Sequence, residues 1–234
     1  MLAAALGKMR NMNTLRNLKK AELLSLYDAN FEALFSATTN HEARTHGPFL
    51  ISPNSGYWSA PIRVAFIGQE TRGWVSSNRI ESQISGYEGF NLGEHYRASP
   101  FWSIIRKLEH RVSSKNYASA WLNLNRYDEK KKRPSKALAA KLSGIDWILA
   151  KELEILEPNV IIALTGPTYD HRISRFFGNE KLQVASFKTK ELCEFVNHRF
   201  DARVLRTYHP NYLRLSKLES TVVEAIGKYI ENRC

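Results

Sequence analysis

Four short apolar segments, each followed by turn-forming residues, constrain the fold of this chain more than any other feature. They comprise residues 62–67 before Gly68, 120–124 before Asn125, 160–164 before Gly166 and 204–207 before His209. Continuous apolar runs of this length are typical of strands that are buried on both faces of a sheet. The four segments therefore predict four buried strands.

Segments with helical periodicity alternate with these strands. Apolar residues recur at three- and four-residue steps in 101–108, 145–156, 170–177, 190–200 and 218–230, and Pro158 ends the second of these segments. Alternating strands and helices are typical of a parallel sheet with helices on both faces. We therefore predict an α/β fold, a three-layer α/β/α sandwich with a central four-stranded parallel sheet.

The whole chain, residues 1–234, is predicted to form one domain with an N-terminal helical extension. Residues 1–13 are expected to form a loose tail, followed by a helix at about 14–36 with Thr14 as its N-cap. A loop rich in Gly, Pro, Asn and Ser is expected at 38–61. The hydrophobic content of 43% excludes a disordered chain, because it provides enough apolar surface for a core.

The charge balance indicates an anionic partner. Lys and Arg number 34 and Asp and Glu 23, which leaves a formal charge of +11. No apolar run approaches the ~18 residues of a membrane span, and residues 2–6 are too short for the core of a signal peptide. We therefore expect a cytoplasmic protein without a membrane partner, and we infer no obligate protein partner.

The cysteines and histidines predict neither a metal site nor another cofactor. Cys193 and Cys234 cannot supply the set of thiolates that an iron–sulfur cluster needs. His41 and His46 lack an accompanying carboxylate or cysteine pattern, so we interpret them as solvated loop residues.

The residues that follow the predicted strands are the candidates for chemistry, because ligands bind at the carboxyl ends of parallel strands. Glu70 follows the first strand, where a carboxylate either holds a water and stabilises a developing cation or caps the next turn. Asn123 and Asn125 share one face at the end of the second strand, and the amide of either can read the edge of a nucleobase. His209 follows the fourth strand, and Pro210 restricts its position.

Basic residues follow the same strand ends, and we interpret them as a phosphate-binding rim. They are Arg126, Lys130, Lys131, Lys132, Arg133, Lys136, Arg172, Arg175, Arg206 and Arg214. The turn at Gly166, after the third strand, begins a helix whose backbone amides can also bind phosphate.

Taken in order, these segments resemble the motifs of the uracil-DNA glycosylase superfamily over residues 62–214. Gly68-Gln69-Glu70-Thr71 is similar to the water-activating motif Gly-Gln-Asp-Pro-Tyr-His of that superfamily. The other similarities are those of residues 100–108 to the helix after the base-stacking residue, 122–125 to the strand that ends in the base-reading asparagine, 164–166 to the phosphate-contacting turn, and 209–213 to the motif His-Pro-Ser-Pro-Leu.

The resemblance implies a role for each matching residue. Glu70 is expected to stabilise an oxocarbenium-like sugar and orient a water, and His209 to hydrogen-bond the departing base. Base binding is expected at Gln69, Phe101, Trp102 and Asn125, with Asn125 favoured over Asn123. DNA binding is expected at Gly166, Arg126, Lys131, Arg206, Arg214 and Leu213, the last filling the gap left by a flipped nucleotide.

Two departures from the superfamily bear on the substrate. Thr71-Arg72 replaces Pro-Tyr, and the loss of that tyrosine relieves a clash with substituents at pyrimidine C5. Residues 73–99 are expected to form a long polar loop that closes over a large substituent, or a surface insertion without function. The presence of only two cysteines excludes the cluster-bearing branches of the superfamily.

The expected function is that of a monofunctional DNA glycosylase. It would flip out a 5-modified cytosine, hydroxymethylated or glucosylated, in phage DNA and hydrolyse its N-glycosidic bond as an antiviral defence. The alternatives are a uracil-DNA glycosylase of base-excision repair and a non-catalytic DNA-binding module of the same fold. A hydrolase or transferase of free nucleosides is a further alternative, which leaves the basic rim without a role.

Overall fold

The computed structural model describes residues 2–39, 44–96, 99–113 and 115–232. The helices are α1 (Leu2–Ala29), α2 (Phe31–Ser36), α3 (Ser55–Ser59), α4 (Ile80–Phe90), α5 (Pro100–Ser113), α6 (Lys136–Ser143), α7 (Asp146–Leu156), α8 (Asp170–Phe177), α9 (Pro210–Leu215) and α10 (Glu219–Glu231). The strands are β1 (Thr45–His46), β2 (Val64–Gly68), β3 (Ala120–Asn123), β4 (Asp128–Glu129), β5 (Val160–Ala163), β6 (Lys181–Gln183), β7 (Leu192–Phe195) and β8 (Arg203–Thr207). Short 3-10 helices lie at Asn91–Gly93 and Pro167–Tyr169.

The central sheet has six strands in the order β3-β2-β5-β8-β7-β6. β3, β2, β5 and β8 are parallel, and the sheet continues beyond β8 with β7, which is antiparallel to β8, and β6, which is antiparallel to β7. The α/β class is therefore confirmed. The prediction of a four-stranded parallel sheet is not confirmed: the four predicted strands are parallel to one another, but they belong to a mixed sheet of six strands.

Strand β7 accounts for part of this difference, because it lies in the segment that was predicted to be helical, 190–200. Leu192, Cys193 and Phe195 are buried in β7, which pairs along its whole length with β8. A short apolar run fits a buried helix and a buried strand equally well by periodicity alone. Pairing with β8 supplies the hydrogen bonds that make it a strand.

Helix α1 begins well before the predicted N-terminal helix. It spans Leu2–Ala29, so Thr14 lies inside the helix and does not cap it, and the tail expected at 1–13 is helical from Leu2 onward. Residues 2–6 are all Leu or Ala, which are strong helix formers, and this accounts for the early start. α1 contacts α3, α4 and α7.

The crossovers between parallel strands bring four strand ends to one edge of the sheet. The chain passes from β2 to β3 through α5 in one direction along the sheet, and from β3 to β5 through α7 in the other. Because such crossovers are right-handed, α5 and α7 cover opposite faces. α9 and α10 pack against α5, whereas α1 and α8 pack against α7.

The segment predicted to be a long polar loop, 73–99, is largely helical. It contains α4, in which Ile80, Ile84 and Tyr87 are buried, and residues 97 and 98 lie outside the described part of the chain. The hydroxyl of Tyr87 accepts a hydrogen bond from the backbone N–H of Trp121 on β3 at 2.9 Å. The expectation of a loop is therefore wrong for residues 80–93, which are helical and whose apolar side chains belong to the core.

The histidine and cysteine predictions are only partly open to comparison. His41 and Cys234 lie outside the described residues. The interpretation of His46 as a solvated loop residue is wrong, since it lies in β1 with its Nδ1 2.7 Å from an Asp128 carboxylate oxygen. Within the described ranges, His, Cys, Asp and Glu side chains nowhere form a group of three suited to a metal ion. None of the helices in those ranges combines the length and the apolar character needed to cross a bilayer.

Candidate active site

Gly68 creates space at the end of β2. It pairs in register with Asn123 on β3. A Cβ atom at position 68 would lie 2.3 Å from Asn123 Oδ1 and 3.2 Å from Cζ of Phe101. Only glycine permits this close approach, so the Asn123 amide and the edge of the Phe101 ring both lie against the same point of β2.

Glu70 lies two residues beyond this point and is half-buried. Its Oε2 accepts a hydrogen bond from Asn125 Nδ2 at 3.2 Å. Burial raises the pKa of Glu70, and the Asn125 hydrogen bond and the nearby Arg133 and Arg72 counteract part of that rise. The site therefore holds a partly desolvated carboxyl group next to two cations.

The two candidate asparagines have different surroundings. Asn125 is fully buried and uses both ends of its amide, because its Oδ1 also accepts from Arg172 Nη1 at 2.7 Å. Asn125 therefore holds Glu70, and its amide is not open to a base. Asn123 Oδ1 accepts from the indole N–H of Trp121 at 3.1 Å, whereas its buried Nδ2 has no hydrogen-bond partner among the described residues. An unsatisfied buried donor costs free energy, so the geometry favours Asn123 over Asn125 as the ligand-reading amide.

His209 is the N-cap of α9, and its partly buried ring lies near positively charged side chains. Its Nδ1 accepts a hydrogen bond from the backbone N–H of Asn211 at 3.3 Å, which assigns the ring proton to Nε2. Burial, together with the positive charges of Arg72 and Arg133, lowers the pKa of His209 to about 4. At neutral pH the imidazole is therefore uncharged and presents Nε2–H as a donor.

The two predicted base-stacking residues differ in exposure. Phe101 is half-buried, and its ring stacks on that of His209 with a centroid separation of 6.4 Å and an interplanar angle of 28°. Trp102 is buried in an aromatic cluster, where it packs against Phe90 and Trp121. Phe101 is therefore the ring that can contact a ligand, and Trp102 supports the core beneath it.

The side chain of Gln69 is also fully engaged. Its Nε2 donates to the backbone carbonyl of Thr165 at 2.7 Å, and its Oε1 accepts from Arg133 Nη2 at 2.7 Å. Gln69 thus ties the end of β2 to the end of β5 and holds Arg133 over the site. Gly166 follows Thr165 with a φ of 76°, and its N–H donates to the Thr207 carbonyl at 2.9 Å. Because that N–H is engaged, Gly166 does not itself offer a phosphate donor.

Two arginines predicted to bind DNA are buried instead. Arg126 forms a two-point ion pair with Glu152, at 2.9 and 2.7 Å. Arg206 is 1% exposed and pairs with Asp170 at 2.8 Å. Both predictions are wrong, because guanidinium groups that are enclosed and paired in this way cannot reach a phosphate.

The prediction that Leu213 fills the gap left by a flipped nucleotide is also wrong. Leu213 is completely buried in α9, one turn after the buried Pro210, whereas Tyr212 is 51% exposed. Tyr212 packs on the ring of Tyr208 with a centroid separation of 4.3 Å. The helix turns Leu213 into the core, and Tyr212 and Leu215 are the large apolar side chains that α9 leaves exposed.

The basic rim that remains consists of exposed side chains around the same strand ends. They are the predicted Lys130, Lys131, Lys132, Arg133, Lys136, Arg175 and Arg214, together with Arg72. Arg214 Nη2 donates to Asn211 Oδ1 at 3.2 Å, at the start of α9. The stem of Lys131 packs on Gly73, which adopts a φ of 83°.

Asp128 is a site residue that the sequence reasoning missed. It is completely buried, and its carboxylate accepts from Gly73 N at 2.6 Å, Lys131 N at 2.9 Å and Thr71 Oγ1 at 3.2 Å. It therefore fixes the loop after β2 to the turn after β4. The signal for it is weak, namely an Asp between a hydrophobic segment and a lysine run, where aspartates commonly accept bonds from following backbone amides.

No protein-family model matches the chain, and no curated protein matches it. A desolvated carboxyl group, a neutral imidazole donor, an aromatic face and a buried amide donor meet at one edge of the sheet. Together they can stabilise a developing cation, orient a water and hydrogen-bond a departing heterocycle.

Proposed function

We propose that the protein is a monofunctional DNA glycosylase of the uracil-DNA glycosylase kind, with the corresponding three-layer α/β/α sandwich. The observation that carries the proposal is the shared environment of Glu70 and His209. Both residues follow central strands of the sheet, and the charges of Arg72 and Arg133 lower the pKa of both. An acidic group and a neutral imidazole that share two neighbouring cations suit the hydrolysis of a bond between a sugar and a base.

In the proposed reaction the base is first flipped out of the DNA, because a stacked base is out of reach. The C–N bond then lengthens and the sugar gains oxocarbenium character. The Glu70 carboxylate stabilises this cation, orients the water that attacks the sugar carbon, and accepts the proton that the water loses as its oxygen bonds to that carbon. His209 Nε2–H donates to a base oxygen as the base leaves with the bonding electron pair.

Base selection is assigned to Phe101 and Asn123. The half-buried Phe101 ring offers a stacking face beside His209. The Nδ2 group of Asn123, which lacks a partner within the described residues, offers a donor for a carbonyl or ring nitrogen of the base. The exposed cations of the rim supply contacts to the flanking phosphates.

The favoured substrate is a 5-modified cytosine in phage DNA, cleaved as an antiviral defence. Support comes from the loop after β2, where Thr71 is buried and turned toward Asp128 and Arg72 is exposed. Neither side chain is an aromatic ring that would exclude a C5 substituent. Because the apolar side chains of α4 are buried in the core, the proposal does not rely on a loop that closes over the substrate.

Uracil in DNA is the second candidate, and one observation favours it. The Asn123 oxygen is held by the Trp121 indole N–H, so the amide nitrogen is the end left for a ligand. A donor in this place pairs with the O4 carbonyl of uracil and not with the amino group of cytosine. Uracil DNA is therefore the essential comparison in the assay.

The deciding experiment incubates the protein with oligonucleotides that carry uracil, 5-hydroxymethylcytosine or glucosylated 5-hydroxymethylcytosine, and measures alkali-labile sites. Cleavage of the modified cytosines supports the favoured substrate, whereas cleavage of uracil DNA alone assigns the protein to repair. Salt-sensitive binding without base release would instead indicate a non-catalytic module. Free nucleosides in parallel reactions test the nucleoside hydrolase alternative.

A further inference from the structure

Arg172 is a buried arginine that links two helices to the end of β3. From α8, its Nε and Nη2 donate to the two carboxylate oxygens of Asp146 on α7, at 2.8 and 2.5 Å. Nη2 also donates to the Leu124 carbonyl at 2.9 Å, and Nη1 donates to Asn125 Oδ1 at 2.7 Å. Each side chain of the Arg172–Asp146 pair is 4% exposed.

This arrangement dictates which way the Asn125 amide faces. A guanidinium group only donates hydrogen bonds, so the amide must turn its oxygen toward Arg172. Its NH₂ group then points to Glu70 Oε2, at 3.2 Å. The flipped amide would place NH₂ against the guanidinium group and oxygen against the carboxylate, which are two repulsive contacts. Tyr169 also hydrogen-bonds the Asn125 side chain, but a hydroxyl donates and accepts and therefore selects neither orientation.

We propose that Asp146 and Arg172 are positioning residues for Glu70, which act by fixing the Asn125 amide so that the carboxylate always receives a hydrogen-bond donor. The ion pair holds Arg172, Arg172 holds the amide oxygen, and the amide nitrogen holds Glu70. The importance of this chain for catalysis rests on the function proposed above. The effect of this chain on the Glu70 carboxylate does not depend on that function.

The prediction for titration follows from the groups that face Glu70. These are Arg72 and Arg133, which favour the carboxylate, and Asp128, which disfavours it. The nearby phenol of Tyr169 is uncharged where Glu70 titrates, because the pKa of Tyr169 is raised above its usual value. All of them remain when the Asp146–Arg172 pair is removed. The Asn125 hydrogen bond is the largest influence that opposes the effect of burial on the pKa of Glu70. A freely rotating amide therefore raises that pKa further.

The test is a titration of the Glu70 carboxyl carbon by NMR in the DNA-free protein. The double variant Asp146→Asn/Arg172→Met removes the pair without leaving a buried charge unpaired. We expect its Glu70 midpoint to rise by several tenths of a pH unit to about one, the range of a weakened hydrogen bond to a charged group. Arg172→Lys, which keeps the charge but loses the planar fork, should give a smaller rise.

The matched control is Arg126→Met/Glu152→Gln, which removes the other deeply buried ion pair. Its Glu70 midpoint should equal that of the wild type, and circular dichroism verifies the fold of every variant. Should the double variant not fold, Arg172→Lys alone decides. An unchanged Glu70 midpoint in the folded variants, or an equal rise in the control, overturns the inference.

Activity provides a separate measurement. If the wild type releases a base, the double variant should show about a tenfold lower kcat with an unchanged KM, together with an acid limb of the rate profile shifted to higher pH. If the wild type releases no base from any substrate, the proposed function fails. The NMR titration still decides whether Asp146 and Arg172 position Glu70.

Discussion

Glu70 and His209 are both shifted toward their uncharged forms by burial, but the surrounding arginines affect them in opposite ways. Arg72 and Arg133 favour the Glu70 carboxylate and disfavour the His209 imidazolium. The same two cations therefore support a negative carboxylate beside a neutral imidazole. This is the pair of states that the proposed reaction needs at neutral pH.

Glu70→Gln should reduce base release by at least about a hundredfold while DNA binding persists, because the amide keeps the shape of the side chain but cannot neutralise a sugar cation. Wild-type activity should decline on acidification at a pH above the usual range of glutamates, since burial raises the pKa of Glu70. Single-turnover rates and binding to intact DNA measure the two effects. Full activity of Glu70→Gln would remove this residue from the mechanism.

His209 should make folding stability depend on pH. Its pKa is lowered from 6.5 to about 4 in the folded protein, so the unfolded chain binds the additional proton in this interval. The His209 contribution is therefore fully present above pH 6.5 and is lost as the pH falls toward 4. Urea unfolding of the wild type and of His209→Gln at several pH values should show a steeper acid loss for the wild type. Parallel curves would contradict the assignment.

At the level of secondary structure elements, α9 buries Leu213 in the core and leaves the adjacent Tyr212 exposed. Leu213→Ala should lower the free energy of unfolding by about 2–5 kcal/mol, because it opens a cavity in the core. Tyr212→Ala should leave stability nearly unchanged and weaken DNA binding, since its ring is exposed beside the site. Chemical denaturation and fluorescence anisotropy separate the two outcomes. Weaker binding by a folded Leu213→Ala, with no effect of Tyr212→Ala, would restore the original assignment of Leu213.

The sequence predicts the elements that position the site better than it predicts the individual contacts. The four parallel strands and the strand-end positions of Glu70 and His209 follow from short apolar runs that end at turn residues. The sequence does not predict strand β7, because an apolar run of that length is compatible with a strand and with a helix. The sequence also does not predict the burial of Arg126 and Arg206, because it does not reveal that an arginine will form an ion pair with a carboxylate on a distant helix.

For the whole molecule, the net charge of +11 should produce salt-sensitive DNA binding. Lys131→Gln and Arg214→Gln should each reduce the slope of log K against log salt by about one, because each removes one phosphate contact. Arg199→Gln is the control, since Arg199 lies in the segment that leads into the opposite end of β8 and pairs with Glu154 at 2.7 Å. Equal slopes for all three variants would place the DNA elsewhere on the surface.

The antiparallel strands β7 and β6 have a consequence for the timescale on which the site can change shape. β7 gives β8 a second neighbour, on the side opposite β5, and β2 lies between β3 and β5, so neither β8 nor β2 is an edge of the sheet. Backbone amides in such strands are released only by large openings of the structure, and we expect the slowest hydrogen exchange there. Glu70 and His209 thus follow the two strands whose backbone hydrogen bonds we expect to open most slowly. A substrate has to adapt to them, and rapid adjustment is left to the exposed side chains around the cleft.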